Sequence, residues 1–409
     1  MMCPQTAVWS GPKTRTWKFV LSVFAVTVSL VCRGATDLQG LQDACDAGWE
    51  SAMTFRSSKT GLLYECHEEE VRSSKGCVGG MFHWGKGLGY GKGMEDCALN
   101  CGTALSALVD RYALLKDDGT REDAAKIARG VLNLAKLHGV RGFVARGICP
   151  DDGKTICSLS SRDQYTHWVH GLWRYAGSPM ADPSLVDEYR ALVTDVARFM
   201  EEKVTRAHGW NFGLADGGKD PLGLCTMWGA DLHPHEHARL PMIYLAAYLA
   251  TGNGHWLSLY EEFIDTALDR TLTFTGAVRS YWEDRIPCYS LYQANASLEL
   301  VLSYEKNPVR RAKIMSAMKG FADVALGRVK ESLRRPEVSY YGMCWDGELL
   351  MTILMARDRF DPGTVHPFLA QTVRRADLNK SGVCRVAHVM AAYWRTRALG
   401  DGSRSATGH

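Results

Sequence analysis

The sequence predicts an all-α protein, an (α/α)6 barrel whose long loops gather on one rim, and three observations carry that expectation. Apolar residues recur at three- and four-residue spacing along most of the chain, bounded by Gly, Pro, Asp or Ser, with no convincing run of period-two alternation. The helices so defined are joined in pairs by very short turns. The connections between pairs are long, and long loops in a compact domain usually serve a function.

The periodicity predicts about a dozen helices, over roughly 38–58, 97–116, 120–138, 163–176, 184–206, 235–251, 254–273, 288–304, 308–333, 345–356, 366–377 and 383–398. Asp117-Asp118-Gly119 separates the second from the third, Gly252-Asn253 the sixth from the seventh, and Lys306-Asn307-Pro308 the eighth from the ninth. The alternate connections run over roughly 59–96, 139–162, 207–234, 274–287 and 334–344. Helical hairpins stacked side by side put all of these long loops on one face. Closing the stack gives the barrel, and leaving it open gives a helical solenoid, the structural alternative. In the barrel every second helix begins on the long-loop rim. Its unpaired N–H groups and positive dipole end suit a carboxylate or an anionic ligand there.

Lys13, Arg15 and Lys18 precede an apolar run from Phe19 to Val31, and the small residues Gly34 and Ala35 follow, the pattern of a secretory signal peptide. The run is too short to span a bilayer as a stable helix, so no membrane span is expected after cleavage. A lipid anchor on Cys32 is disfavoured by the bulk of Val31. The expected organisation is a signal peptide over 1–35, one barrel domain over 36–399 and a disordered tail over 400–409. The expected location is periplasmic or extracellular. A formal net charge of +3 over 409 residues offers no electrostatic case for nucleic acid. Oligomeric state is not legible.

Of the 13 cysteines, Cys3 and Cys32 leave with the signal, so an odd number remains and at least one has no intrachain partner. Cys149 with Cys157, and Cys66 with Cys77, fall in loops and are able to pair outside the cytosol. Cys97, Cys101, Cys225, Cys288, Cys344 and Cys384 read as small buried hydrophobes.

Chemistry is sought at the helix starts on the rim. Residues 82–97, FHWGKGLGYGKGMEDC, form a glycine-rich loop that carries Trp84 and Tyr90 and ends at Asp96. The loop matches no phosphate-binding motif, because the Lys-Ser/Thr pair is missing. Asp96 reads either as the N-cap of the second helix or as a functional carboxylate, and the two are compatible. Residues 141–175 are the densest polar and aromatic stretch, with Arg146, Arg162, Asp163, Gln164, His167 and His170. Positions 163, 167 and 170 share one helical face, with Asp163 the strongest functional candidate. Arg146 and Arg162 suit a substrate carboxylate or neighbouring acids.

Asp231, His233, His235 and His237 in CTMWGADLHPHEHARLP suggest metal ligands at first sight. Pro234 puts them across a loop-to-helix junction rather than on one helical face, so hydrogen bonding to sugar hydroxyls or a structural cluster is preferred. No metal and no cofactor is expected. Trp282 with Glu283 and Asp284, then Tyr340, Tyr341, Trp345 and Asp346, then Arg385 bring further aromatics and charges to later helix starts. Loop tryptophans beside carboxylates (Trp84, Trp210, Trp228, Trp282, Trp345) read as sugar-stacking platforms.

An exported ring of helical hairpins with aromatic rim loops and carboxylates at alternate helix starts resembles the six-hairpin glycosidase superfamily. Within it the layout is most similar to the unsaturated glucuronyl and rhamnogalacturonyl hydrolases. The resemblance implies that two aspartates at successive inner-helix N-termini act at the C4–C5 double bond of the substrate, and Asp96 and Asp163 stand in those places. It implies an oligosaccharide substrate, with uronic-acid-containing ones included. The expected function is glycoside hydrolysis by carboxylate acid/base catalysis, with Asp163 giving a proton and activating water and Asp96 orienting the ring or stabilising positive charge. A polysaccharide lyase on the same scaffold, a sugar epimerase (disfavoured by the signal peptide) and a glycan-binding protein without catalysis are the alternatives.

Overall fold

The structure is a computed structural model that describes residues 38–71, 81–82, 91–276, 286–334, 342–357, 362–376 and 383–400. Its helices are α1 (Leu38–Met53), α2 (Cys97–Leu115), α3 (Asp118–Asn133), α4 (Arg162–Ala176), α5 (Pro183–Lys203), α6 (Arg239–Thr251), α7 (Gly254–Thr271), α8 (Cys288–Tyr304), α9 (Pro308–Leu333), α10 (Gly342–Met355), α11 (Pro362–Ala376) and α12 (Val383–Gly400). Residues 1–35, where a signal peptide is expected, and 401–409 of the expected tail lie outside the described residues. Among the described residues no helix is long and apolar enough to cross a membrane.

The even-numbered helices form an inner ring in which each packs on the next, and α12 packs back on α2. The ring is therefore closed, and the open solenoid is excluded. The odd-numbered helices surround it, each against its own hairpin partner or a neighbouring inner helix. An inner helix touches protein on all sides, so α6 is apolar almost all round, with residues 239–247 buried. The outer helices keep a polar face.

The two ends of the barrel are built differently. At the short-turn end, outer helices start with side-chain caps: Asp117 accepts from the Thr120 amide, Asp182 from Ser184, Asn253 from His255 and Asn307 from Val309. At the long-loop end, α2, α4, α6 and α8 start at Asp96, Ser161, Ala238 and Pro287 with no side-chain cap. Loop carbonyls take part of that role. The Ala98 amide donates to Arg146 O at 3.2 Å and the Arg162 amide to Leu224 O at 3.0 Å, which docks the loops onto the rim.

Two close helix contacts fix the inner ring. A Cβ on Gly102 of α2 would lie 2.3 Å from the His167 carbonyl of α4, and one on Gly171 would lie 2.6 Å from the Gly102 carbonyl. Between α10 and α12, a Cβ on Gly347 would meet the His388 backbone at 2.7 Å. Glycine at these places lets the backbones touch and sets the height of His167 and His388 in the ring.

Several boundaries depart from the sequence expectation for physical reasons. The first helix stops at Met53 because Thr54 and Phe55 turn into a bridge between Arg56 and Leu63. Pro234–Glu236 is a separate 3-10 turn, so α6 starts at Arg239 rather than 235. The eleventh helix starts at Pro362 and carries Pro367 inside it, where a helix start had been expected. Period-two patterning misses β1 (Met81–Phe82) and β2 (Ile156–Cys157), which pair in parallel and tie two rim loops together. Cys149 and Cys157 are buried thiols with no disulfide between them, and Cys66 is a half-buried thiol, its suggested partner Cys77 lying outside the described residues. Cys97, Cys101, Cys225 and Cys288 are buried, as expected of small hydrophobes.

Candidate active site

Asp96 and Asp163 stand at the starts of the neighbouring inner helices α2 and α4. Asp96, at the start of α2, keeps 41% of its side-chain surface. Its Oδ1 accepts from the Gln164 amide at 2.7 Å and from Arg146 Nη1 at 3.1 Å. Arg146 also donates to the Glu95 carbonyl at 3.0 Å, so its guanidinium clamps the entrance to α2. Asp96 occupies the N-cap position without capping through its carboxylate. The carboxylate is spent on the neighbouring helix.

Asp163, in the first turn of α4, keeps 26% of its side-chain surface and accepts from Arg239 Nη1 at 2.5 Å. Arg239 is 1% exposed and gives its other terminal nitrogen to Gln293 Oε1 at 2.8 Å, linking α4, α6 and α8. Arg162 pairs with Glu236 and donates to the Gly223 and Leu224 carbonyls at 2.7 and 3.2 Å. Burial opposes the charge on Asp163, yet Arg239 and Arg162, with Arg146 further off, outweigh it and hold the carboxyl below its ordinary value. Asp163 is ionised at neutral pH. Expected as the proton donor, it is electrostatically suited to the opposite role. Glu236 is likewise held low: burial opposes its charge and Arg162 and Arg239 favour it more strongly.

His167 is 1% exposed, with Nδ1 3.2 Å from Thr103 Oγ1 and its ring 5.2 Å from that of Tyr292. Burial first, then the neighbouring His388 and His170, push its pKa well down, so the imidazole is neutral. Its Nε2 is buried and has no hydrogen-bond partner among the described residues. His235 stacks on His233 at 5.5 Å, and burial lowers its pKa to about 3. Burial of Tyr289, which faces Asp163 and Glu348, drives its hydroxyl far above the usual phenol value.

Other expected residues fall elsewhere. His237 points Nδ1 at the His233 carbonyl at 3.0 Å, while Nε2 faces Arg270 at 3.1 Å and the Gly229 carbonyl at 3.2 Å. It is a structural histidine, because both ring nitrogens are engaged by the loop it braces. Asp231 and His233 are exposed, and His233, His235 and His237 do not converge; among the described residues no cluster of metal-ligating side chains occurs. Trp228 is 8% exposed, wedged between Phe263, His237 and Arg270. It is packing rather than an open sugar platform, since its ring faces are already covered. Asp346 is buried and accepts from Ser332 Oγ at 3.2 Å. Trp84, Tyr90, Trp282 and Tyr341, and the side chain of Trp345, lie outside the described residues.

His170 belongs to a second network, deeper in the barrel. Its Nε2 lies 2.9 Å from Glu299, whose other oxygen accepts from Arg395 at 2.5 Å. Arg395 also donates to Asp110 at 2.8 Å, and Arg174 forms a forked pair with Asp110 at 2.8 and 3.0 Å. These residues come from the later turns of α2, α4, α8 and α12 and pin the floor of the ring.

Glu236, Arg239, Tyr289, Gln293, Tyr292 and His388 were not predicted. Glu236 and Arg239 lie inside the histidine-rich segment 225–241. Tyr289 and Gln293 stand at i, i+4 on α8, a polar pair on a helix otherwise buried.

No family model and no curated protein matches the chain. Among solved structures, cellobiose 2-epimerase from Spirochaeta thermophila is similar to it, at 14% sequence identity and a TM-score of 0.47, over 90% of this chain and 99% of that one.

Proposed function

We propose that this chain is an exported carbohydrate-active enzyme, a glycoside hydrolase that works on oligosaccharides from the long-loop mouth of the barrel. The observation that carries the reading is the hydrogen bond to Asp96 from Gln164, the residue directly after Asp163, with Arg146 on the same oxygen. Two carboxylates stand at neighbouring inner-helix starts, each binding the protein through Oδ1. Among the described residues neither Oδ2 has a protein hydrogen bond, which leaves one oxygen of each for substrate.

The environment divides their roles. Asp163, held ionised by guanidinium groups, stabilises developing positive charge on the sugar or activates water. Asp96, bonded to Gln164 and Arg146 through Oδ1 alone, presents its other oxygen to the sugar as the second of the two groups. The neutral imidazoles of His167 and His235 support a second reading, proton abstraction from a sugar carbon, as in a lyase or an epimerase.

The test is product analysis over an oligosaccharide panel by mass spectrometry with ultraviolet absorbance. Hydrolysis adds the mass of water and frees a reducing end. Elimination cleaves without water and leaves an absorbing double bond, epimerisation leaves the mass unchanged, and binding without conversion removes catalysis altogether.

A further inference from the structure

We propose that Gln164 and Gln293 form a recognition pair for one sugar hydroxyl beside the two aspartates, Gln293 donating to its oxygen and Gln164 accepting its proton; the proposal rests on the carbohydrate reading above. A continuous chain of contacts carries it. Gln164 Nε2 donates to Asp96 Oδ1 at 2.7 Å, and Asp163 directly precedes Gln164 in the first turn of α4. Arg239 donates to Asp163 through Nη1 and to Gln293 Oε1 through Nη2, the second at 2.8 Å. Gln164 on α4 and Gln293 on α8 are thus each tied to one half of the carboxylate pair, and the two helices pack together.

The chemistry of these tethers fixes which way each amide faces. A guanidinium only donates, so the end of Gln293 that meets Arg239 is the oxygen and its NH2 faces away. Asp96 Oδ1 also accepts from Arg146 Nη1 at 3.1 Å, so the end of Gln164 that meets this oxygen is the nitrogen and its carbonyl faces away. The ends left over, Gln293 Nε2 and Gln164 Oε1, are one donor and one acceptor. Both side chains are fully buried, and neither free end has a hydrogen-bond partner among the described residues, the other glutamine included.

A buried donor and a buried acceptor left open in one site cost stability that a matching group restores. The group that matches both is a hydroxyl, which accepts and donates through a single oxygen. A carboxylate only accepts and an ammonium only donates, so either would satisfy one amide and oppose the other. Gln164 also sets Asp96, and Gln293 also sets Arg239, so a hydroxyl seated on the pair is held in register with both carboxylates. A substrate without that hydroxyl leaves both amide ends unpaired, and a site of this kind rejects it strongly.

The experiment measures kcat/KM of the full chain on an oligosaccharide that it converts and on the monodeoxy analogues of the sugar residue that reacts. Removal of one particular ring hydroxyl is expected to lower kcat/KM at least ~100-fold. Gln293→Glu keeps the oxygen that Arg239 needs and exchanges only the free amide for a second oxygen, so loss of the same hydroxyl should then cost less than ~10-fold. Gln164→Met removes the free acceptor and is expected to shrink the same penalty and no other; it decides should Gln293→Glu not fold. A merely structural role would slow all substrates alike and leave each ratio unchanged. Conversion with every deoxy penalty below ~10-fold, or a large penalty that the folded variants retain in full, overturns the proposal and leaves the carbohydrate reading standing. No conversion of any oligosaccharide overturns both.

Discussion

The side-chain amide of Gln164 donates to Oδ1 of Asp96 at 2.7 Å, so the carboxylate that opens α2 is set by the residue directly after Asp163 on α4. The two aspartates are therefore coupled through one rigid helix turn rather than through a loop. Gln164→Met removes the donor while keeping the volume. We predict a kcat about 10- to 100-fold lower with little change in thermal stability, measured by steady-state kinetics beside a melting curve. Unchanged kcat would remove Gln164 from the positioning of Asp96.

Asp163 owes its ionised state to cations that overcome its burial, Arg239 foremost. With Arg239→Met the burial remains and the main compensating charge is gone, so the carboxyl pKa rises. Activity that needs the ionised form then disappears at a higher pH. The acid limb of kcat/KM is predicted to lie below about pH 4 in the parent and to move upward in the variant. An acid limb that stays in place would show that some other group sets it.

Acid should weaken the fold over a window that starts near neutrality. His167, His170 and His235 are neutral when folded, because burial lowers their pKa values, that of His235 to about 3. The unfolded chain takes up those protons once the pH falls below about 6.5, so folding loses up to ~1.4 kcal/mol per histidine for each pH unit between there and the folded pKa. Asp163, Glu236 and Glu299 have lowered folded pKa values, so their contribution is complete above about pH 4 and is lost as the pH falls below it. Chemical denaturation at pH 7.5, 6 and 5 is expected to give steadily lower stability; a flat series would contradict the neutral histidines.

The floor of the ring is held by charge. Arg395 is fully buried between Asp110 and Glu299. Arg395→Met leaves both acids without it and should cost about 3–5 kcal/mol in denaturant unfolding, since stranding a buried charge is worse than never having had the pair. The same assay separates two glycines. Gly102→Ala drives a methyl into the His167 carbonyl and should cost about 1–3 kcal/mol, whereas Gly320→Ala, with nothing within 4 Å on outer helix α9, should gain a few tenths to about 1 kcal/mol.

Trp228 distinguishes packing from recognition. Its ring is enclosed by Phe263, His237 and Arg270, so Trp228→Ala should lower stability by about 3–5 kcal/mol. A stable variant with weakened glycan binding would restore it as a sugar platform.

The helices, their pairing and the identity of the long-loop rim were legible because each rests on local information: periodicity, turn residues and loop length. Ring closure was expected from the stacking of hairpins but rested on no local trace, since the packing of α12 on α2 joins the two ends of the domain. At the site, Asp96, Asp163 and Gln164 were visible at helix starts and Arg146 in the polar loop before α4. Arg239 was not, because its role depends on which helix stands beside α4, and an arginine at an outwardly apolar helix start looks like any surface cation. Trp228 was misjudged for the same reason: a tryptophan in a loop looks exposed until its neighbours are known. The histidine run at 233–237 looked like one cluster, but the 3-10 turn at Pro234–Glu236 sends His233 outward and His235 inward.

The central claim is that Asp96 and Asp163 share the chemistry at the barrel mouth. It is tested most directly by single-turnover kinetics of Asp96→Asn and Asp163→Asn on an oligosaccharide that the parent converts, with circular dichroism to follow the fold. Both variants are predicted to keep the helical spectrum and to lose at least ~10³-fold in rate, with the double variant little worse than either, as for groups that act as a unit. Parent-like turnover by either folded variant would contradict the account.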